Sequence, residues 1–138
     1  MTNPLIKKGV VGEDAFFIAS QENCDTLGVA DGVGGWASVG IDPSIFSSNL
    51  MKECKRFVQN DELSLFNKKS KIDMTTPVKI LKESYKTLKD CNDDNLVGSA
   101  TACLLVFDHE TLNLNSANLG DSGFVVYYFH FLINLIKY

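Results

Sequence analysis

Two acidic clusters stand at the ends of two apolar runs that lie close enough in sequence to form a hairpin. Glu13 and Asp14 precede Ala15-Phe16-Phe17-Ile18-Ala19, and Asp31 closes Leu27-Gly28-Val29-Ala30 before Gly32-Val33-Gly34-Gly35. The intervening Ser20 to Asp25 has the composition of a turn. Pairing Ala19 with Thr26 as antiparallel neighbours sets Asp14 opposite Asp31. Directly opposed residues have Cβ atoms ~4.5–5.5 Å apart, where like charges repel, and Asp is a poor strand former. Holding a cation is one reason to build such a pair. Carboxylates with exposed backbone carbonyls suit hard divalent ions, Mg²⁺, Mn²⁺ or Ca²⁺. No His or Cys lies in the cluster to argue for zinc, and the glycines after Asp31 let backbone oxygens approach a ligand closely. The competing reading is a solvated hairpin end whose acids face water.

The elements that must position these acids read as strand, strand, helix, loop, helix and strand meander. The first helix starts at Asp42-Pro43, an N-cap acid followed by proline at the first helical position. Phe46, Leu50, Cys54 and Phe57 then recur at helical spacing. Residues 59–75 form a polar, lysine-bearing connection. The second helix opens at Thr76-Pro77, with Val78, Leu81, Tyr85 and Leu88 expected on its core face. Beside that stripe run Lys79, Lys82, Lys86 and Lys89, expected to be a solvated face rather than a binding surface for acidic lipid or phosphoprotein. Strands are expected over Thr101 to Phe107, Leu112 to Asn118 and Ser122 to Tyr128, with a turn at Asp108 to Thr111. Two strands before the helices and three after them make an α+β fold with antiparallel sheet.

Composition narrows the function classes. A chain of 138 residues, 45% hydrophobic and 22% charged, is one globular domain or a piece of one. Its net charge of −4 argues against nucleic acid as the main partner. Cys24, Cys54, Cys91 and Cys103 have neither zinc nor redox spacing. Cys54 and Cys103 sit in apolar patterns and read as reduced core residues of an intracellular protein. The start carries no apolar signal core or Arg/Ser-rich presequence, so the chain as written reads as cytoplasmic. Asp90-Cys91-Asn92-Asp93-Asp94 begins like a calcium loop. Asn95 takes the required glycine position and Thr101 the bidentate Glu position, so that reading fails. Asp31-Gly-Val-Gly-Gly-Trp lacks the Gly-Lys-Ser/Thr of a phosphate loop. Neither His109 nor His130 has a nucleophile motif nearby.

Four motifs appear in a fixed order: Gly12-Glu13-Asp14-Ala15, Asp31-Gly32-Val33-Gly34-Gly35-Trp36, Gly98-Ser99-Ala100-Thr101-Ala102 and Ala117-Asn118-Leu119-Gly120-Asp121-Ser122-Gly123. Together they resemble the metal-dependent serine/threonine protein phosphatases of type 2C, in the short branch whose members are often mitochondrial or plastid proteins. The resemblance covers Gly12 to Phe124 and implies a β-sandwich with helices outside, of which this chain carries the N-terminal half. It also implies hydrolysis of phosphoserine or phosphothreonine in a phosphoprotein substrate by a water activated by Mn²⁺ or Mg²⁺, two ions per complete site. Asp31 matches the acid that bridges the two ions. Glu13 and the Gly32 carbonyl match further ligands of one of them, and Asp14 the acid that holds waters on the metals. Asp121 matches an acid associated with a third, more weakly held ion.

The departures are specific. Val33 stands where many members carry a His that is a candidate general acid. Gly9 matches the position of a phosphate-binding Arg, leaving Lys8 or Lys7 to supply charge with less bidentate geometry. Gly123 replaces an Arg common after Gly-Asp-Ser. The two later acids that complete the second metal site are absent from these 138 residues. From Phe124 the pattern turns continuously apolar, so residues 1–126 read as the partial phosphatase domain and 127–138 as a divergent tail. The tail is too short for a membrane span, which needs ~20 apolar residues. It is expected to come from a truncated isoform or an incomplete gene model. A mitochondrial compartment would suit a full-length form. The competing functions are a catalytically dead fragment that binds metal or a phosphoprotein partner, and an unrelated α+β binding module.

Overall fold

The computed structural model describes residues 10–60, 71–91 and 96–127. Its strands are β1 (Val10–Val11), β2 (Asp14–Ser20), β3 (Cys24–Asp31), β4 (Ala102–Asp108) and β5 (Leu114–Leu119). They form one antiparallel sheet in the order β1-β2-β3-β4-β5. A 3₁₀ turn over Gly34–Val39, helix α1 (Pro43–Asn60) and helix α2 (Thr76–Asp90) come between β3 and β4.

Alternation along the strands decides which face carries the helices. Ala15, Phe17, Ala19, Thr26, Ala30, Leu104 and Val106 are buried on one face. Helix α1 covers this face over β2 and β3, and α2 over β4 and β5. The opposite face leaves Phe16 54%, Ile18 57%, Leu27 40% and Val29 43% exposed. One sheet with one helical layer is present among the described residues, consistent with α+β and with half of a sandwich.

Helix α1 follows its sequence signals. The Asp42 carboxylate accepts the Ser44 N–H at 2.9 Å, an N-terminal cap ahead of Pro43, and Leu50, Cys54 and Phe57 are buried. Burial pushes the Cys54 thiol up to about 12, so it stays a neutral core residue. Cys103 is buried too, and none of the four cysteines forms a disulfide.

Helix α2 is rotated from expectation. Its buried residues are Thr76, Pro77, Ile80, Ser84 and Leu88, while Leu81 is half-buried and Val78 and Tyr85 are each 49% exposed. Small polar side chains fit the interhelical seam with α1, so packing overrides hydrophobicity in setting the face. The expected strand over Ser122 to Tyr128 is also corrected: the chain is irregular from Ser122 to Tyr127, and Tyr128 lies outside the described residues. An apolar run makes a strand only where a neighbour completes its ladder, and none of the described strands pairs with this one. The short β1 and the 3₁₀ turn are additions to the sequence reading. Most of residues 59–75 is the segment 61–70, which lies outside the described residues, as do Lys7, Lys8 and residues 128–138 of the tail.

Candidate metal centre

The β2–β3 hairpin has the register expected from its turn: Ala19 pairs with Thr26 and Asp14 with Asp31. Both aspartates are exposed at the hairpin's open end and line a cleft of about 440 Å³ with Phe16, Val29 and Ser122. Partial withdrawal from water, then the facing Asp31 carboxyl, push the Asp14 carboxyl above the usual carboxylate range. The charged form of Asp14 is therefore disfavoured beside its facing neighbour.

The backbone around this pair is tightly fixed. Gly32 donates its N–H to the Glu13 carbonyl at 3.0 Å, and the Ser47 hydroxyl on α1 donates to the same carbonyl at 2.7 Å. A Cβ on Gly32 would lie 2.4 Å from the Pro43 carbonyl oxygen and 2.8 Å from that of Glu13. Glycine is required by this close approach. The Glu13 carboxylate lies against the loop after Gly32, where a Cβ on Gly34 would come within 2.7 Å of Oε2. It lines a second cleft, bordered by Ala37 and Gly40 to Ser44.

Residues that the sequence left without a role secure Asp31 from the other side. Thr101 donates its N–H to the Asp31 carbonyl at 2.9 Å, and its hydroxyl accepts the Asp31 N–H at 3.1 Å. That hydroxyl lies 2.6 Å from the Ser122 hydroxyl. Gly32 bridges to Ala100, and Val33 donates its N–H to the Ser99 carbonyl at 2.9 Å. The Trp36 indole donates to the Ser99 hydroxyl at 2.9 Å. The motif residues Ser99, Ala100 and Thr101, with Ser122 behind Thr101, thus brace the aspartate loop. Their recurrence in one ordered set was the only sequence signal for this role.

The expected ligands are brought together in part. Asp14 and Asp31 face each other, Gly32 adjoins Asp31, and Glu13 sits at the same end of the hairpin with its carboxylate in the neighbouring cleft. Asp121 is exposed one residue before Ser122. No group of three His, Cys, Asp or Glu side chains gathers as a metal cluster among the described residues. The donors at this end of the hairpin are oxygen only, the type a hard divalent cation prefers.

No family model matches the chain. Curated relatives do. It is 49% identical over 123 residues to the protein phosphatase PTC7 homolog of Xenopus laevis, 47% to that of Danio rerio and 46% to that of Homo sapiens. Each match covers 88% of this chain and 37–38% of the relative, so the chain spans a little over a third of their length. The X-ray structure of the photosystem II phosphatase PBCP superposes with a TM-score of 0.59 at 30% identity, over 80% of this chain and 36% of that one. Over most of its length the chain is thus kin to the PTC7 protein phosphatases, and its fold matches that of a phosphatase of type 2C, a family that uses divalent metal ions.

Proposed function

We propose that this chain carries the first half-site of a metal-dependent phosphoprotein phosphatase, within a partial domain spanning residues 1–126. The observation that carries the reading is the Asp14–Asp31 pair, held opposite each other and braced by Ser47 of α1 and by Ser99 to Thr101 just before β4. In this reading Asp31, the Gly32 carbonyl and Glu13 hold one Mn²⁺ or Mg²⁺ ion. Asp14 orients water beside it, and Asp121 serves a weaker third site. Such ions lower the pKa of a water and offset negative charge on transferring phosphoryl oxygens. The protein's own part is positional. Thr101 and Ser47 fix the backbone on either side of the aspartate pair, and the Ser99–Trp36 bond ties down the loop that follows Asp31. Lys8, proposed to meet substrate phosphate, lies outside the described residues. The substrate class is a phosphoserine or phosphothreonine segment of a protein.

A second reading is a non-catalytic piece that binds metal or a phosphoprotein without turnover, favoured by the lack of a three-ligand cluster among the described residues. One experiment separates the readings. A ligand bound only by the native state stabilises it by RT ln(1 + [L]/Kd), so Mn²⁺ should raise the Tm of the 138-residue chain and Asp31→Ala should remove the rise. Fusion to the remaining part of a PTC7 homolog should then confer hydrolysis of a phosphoserine peptide that EDTA abolishes. Equal Mn²⁺ shifts in both proteins would refute the shared site, and a folded, metal-binding but inactive fusion would favour the second reading.

A further inference from the structure

The apolar stripe expected to form the core face of α2 instead borders a groove on the helical layer. Leu81 and Tyr85 line it from α2, Phe46 from α1, Leu119 from the end of β5, and Gly98 from the segment before β4. A contiguous cleft shares Phe46, Tyr85 and Gly98 and extends past Leu88, Val97 and Lys89 to Trp36. Tyr85 and Val97 are 49% and 41% exposed, and Leu119 is 62% exposed. The walls are therefore apolar and open to water.

Charge says what the groove takes. At 100° per residue, Tyr85 and Val78 sit between the half-buried Leu81 and the lysines Lys89 and Lys82, with Lys86 and Lys79 next around the helix. All four lysines are exposed. No ion pair to a described residue is recorded for any of them, although the chain as a whole is acidic at −4. An apolar channel with Lys89 in its wall and Lys82 beside it on α2 complements a peptide segment that alternates apolar anchors with carboxylates. Lipid is a poorer fit, because the apolar residues lie recessed between two helices and a loop.

We infer that this groove docks an acidic, apolar-anchored peptide segment of another protein, at a site separate from the aspartate cleft. The inference goes beyond the phosphatase reading and needs neither metal nor turnover. Trp36 is the only tryptophan in the chain and lines the far end of the groove, so its fluorescence reports occupancy.

The probe is a synthetic dodecapeptide of alternating glutamate and leucine, titrated into the metal-free 138-residue chain, with a lysine–leucine peptide as control. The acidic peptide should shift Trp36 emission saturably, and binding should weaken with added salt. The combined exposed-surface variant Lys82→Glu/Lys86→Glu/Lys89→Glu should weaken it about tenfold, as expected from three modest ion pairs. Tyr85→Ala should weaken it as well, while both variants keep the far-UV circular dichroism of the parent. Equal affinity for the two peptides, or unchanged affinity in the charge-reversed variant, would overturn the inference. Loss of binding on fusion to the rest of a PTC7 homolog would assign the groove to the remainder of that chain and overturn it equally.

Discussion

At the scale of single residues, Asp14 carries two opposed effects. Without metal its charge faces Asp31 across the hairpin, and its carboxyl titrates above the usual range. A folded-state pKa raised above the unfolded value means the native state holds the proton more tightly, so stability from this group falls as pH rises from the unfolded carboxylate pKa through the raised one. Asp14→Asn should therefore stabilise the metal-free protein near neutral pH by roughly 0.2–1 kcal/mol, the scale of an opposed cross-strand charge pair. The same change should shrink the Mn²⁺-induced rise in Tm, and paired melts with and without Mn²⁺ read both effects. A destabilised metal-free variant would show that the aspartates are not in conflict. The pair was legible in the sequence because a short turn fixes hairpin register, and register fixes which residues oppose. Ser47, Thr101 and Ser122 were not legible as its supports. Their contacts span 34, 70 and 21 positions, and nothing local in a serine or threonine announces such a partner.

At the scale of elements, the two helices show where periodicity suffices and where it fails. Helix α1 packs on the central strands with the expected stripe, because large apolar side chains meet a broad sheet face. Helix α2 turns Thr76, Ile80 and Ser84 inward instead of Val78 and Tyr85, since its neighbour α1 crowds that side. Ile80 is 1% exposed, so Ile80→Ala should cost about 2–5 kcal/mol. Val78→Ala, at a half-exposed position of the same helix, should change stability by roughly 0.5 kcal/mol or less. Urea melts of the two variants rank them, and the reverse order would mean that α2 sits as its sequence stripe suggested. The β4–β5 turn adds a pH-dependent clasp. His109 Nε2 lies 3.0 Å from the Asp25 carboxylate of β3, which raises the His109 pKa above 6.5. Asp25 is held below the usual range by Ser20 and by His109. A raised histidine contributes stability that is full below about 6.5 and is lost as pH rises through the folded-state value. His109→Gln should flatten the Tm–pH curve in that window, and an unchanged curve would remove the clasp.

At the scale of the whole molecule, the described residues form one helical layer and leave the other sheet face bare. Along β2 and β3 the outward positions are as apolar as many inward ones, a pattern expected of strands covered on both sides. Phe16, Ile18, Leu27 and Val29 nevertheless remain 40–57% exposed, and Val125 is 73% exposed. A contiguous apolar surface of this kind marks a face built to be covered rather than ordinary solvent-exposed surface. The sandwich implied by family kinship would place a second sheet about 10 Å above it, and the PTC7 relatives have more than half their length beyond the matched stretch. The 138-residue chain on its own should therefore bind ANS, self-associate at micromolar concentration and melt with weak cooperativity. Polar replacement on the bare face tests the cause. Phe16→Thr with Ile18→Thr and Val29→Thr should reduce ANS fluorescence and aggregation while retaining the helical far-UV signal, because none of the three side chains touches the helical layer. A parent chain that melts sharply as a monomer and leaves ANS dark would show that this face is already covered, and the half-sandwich account would fall.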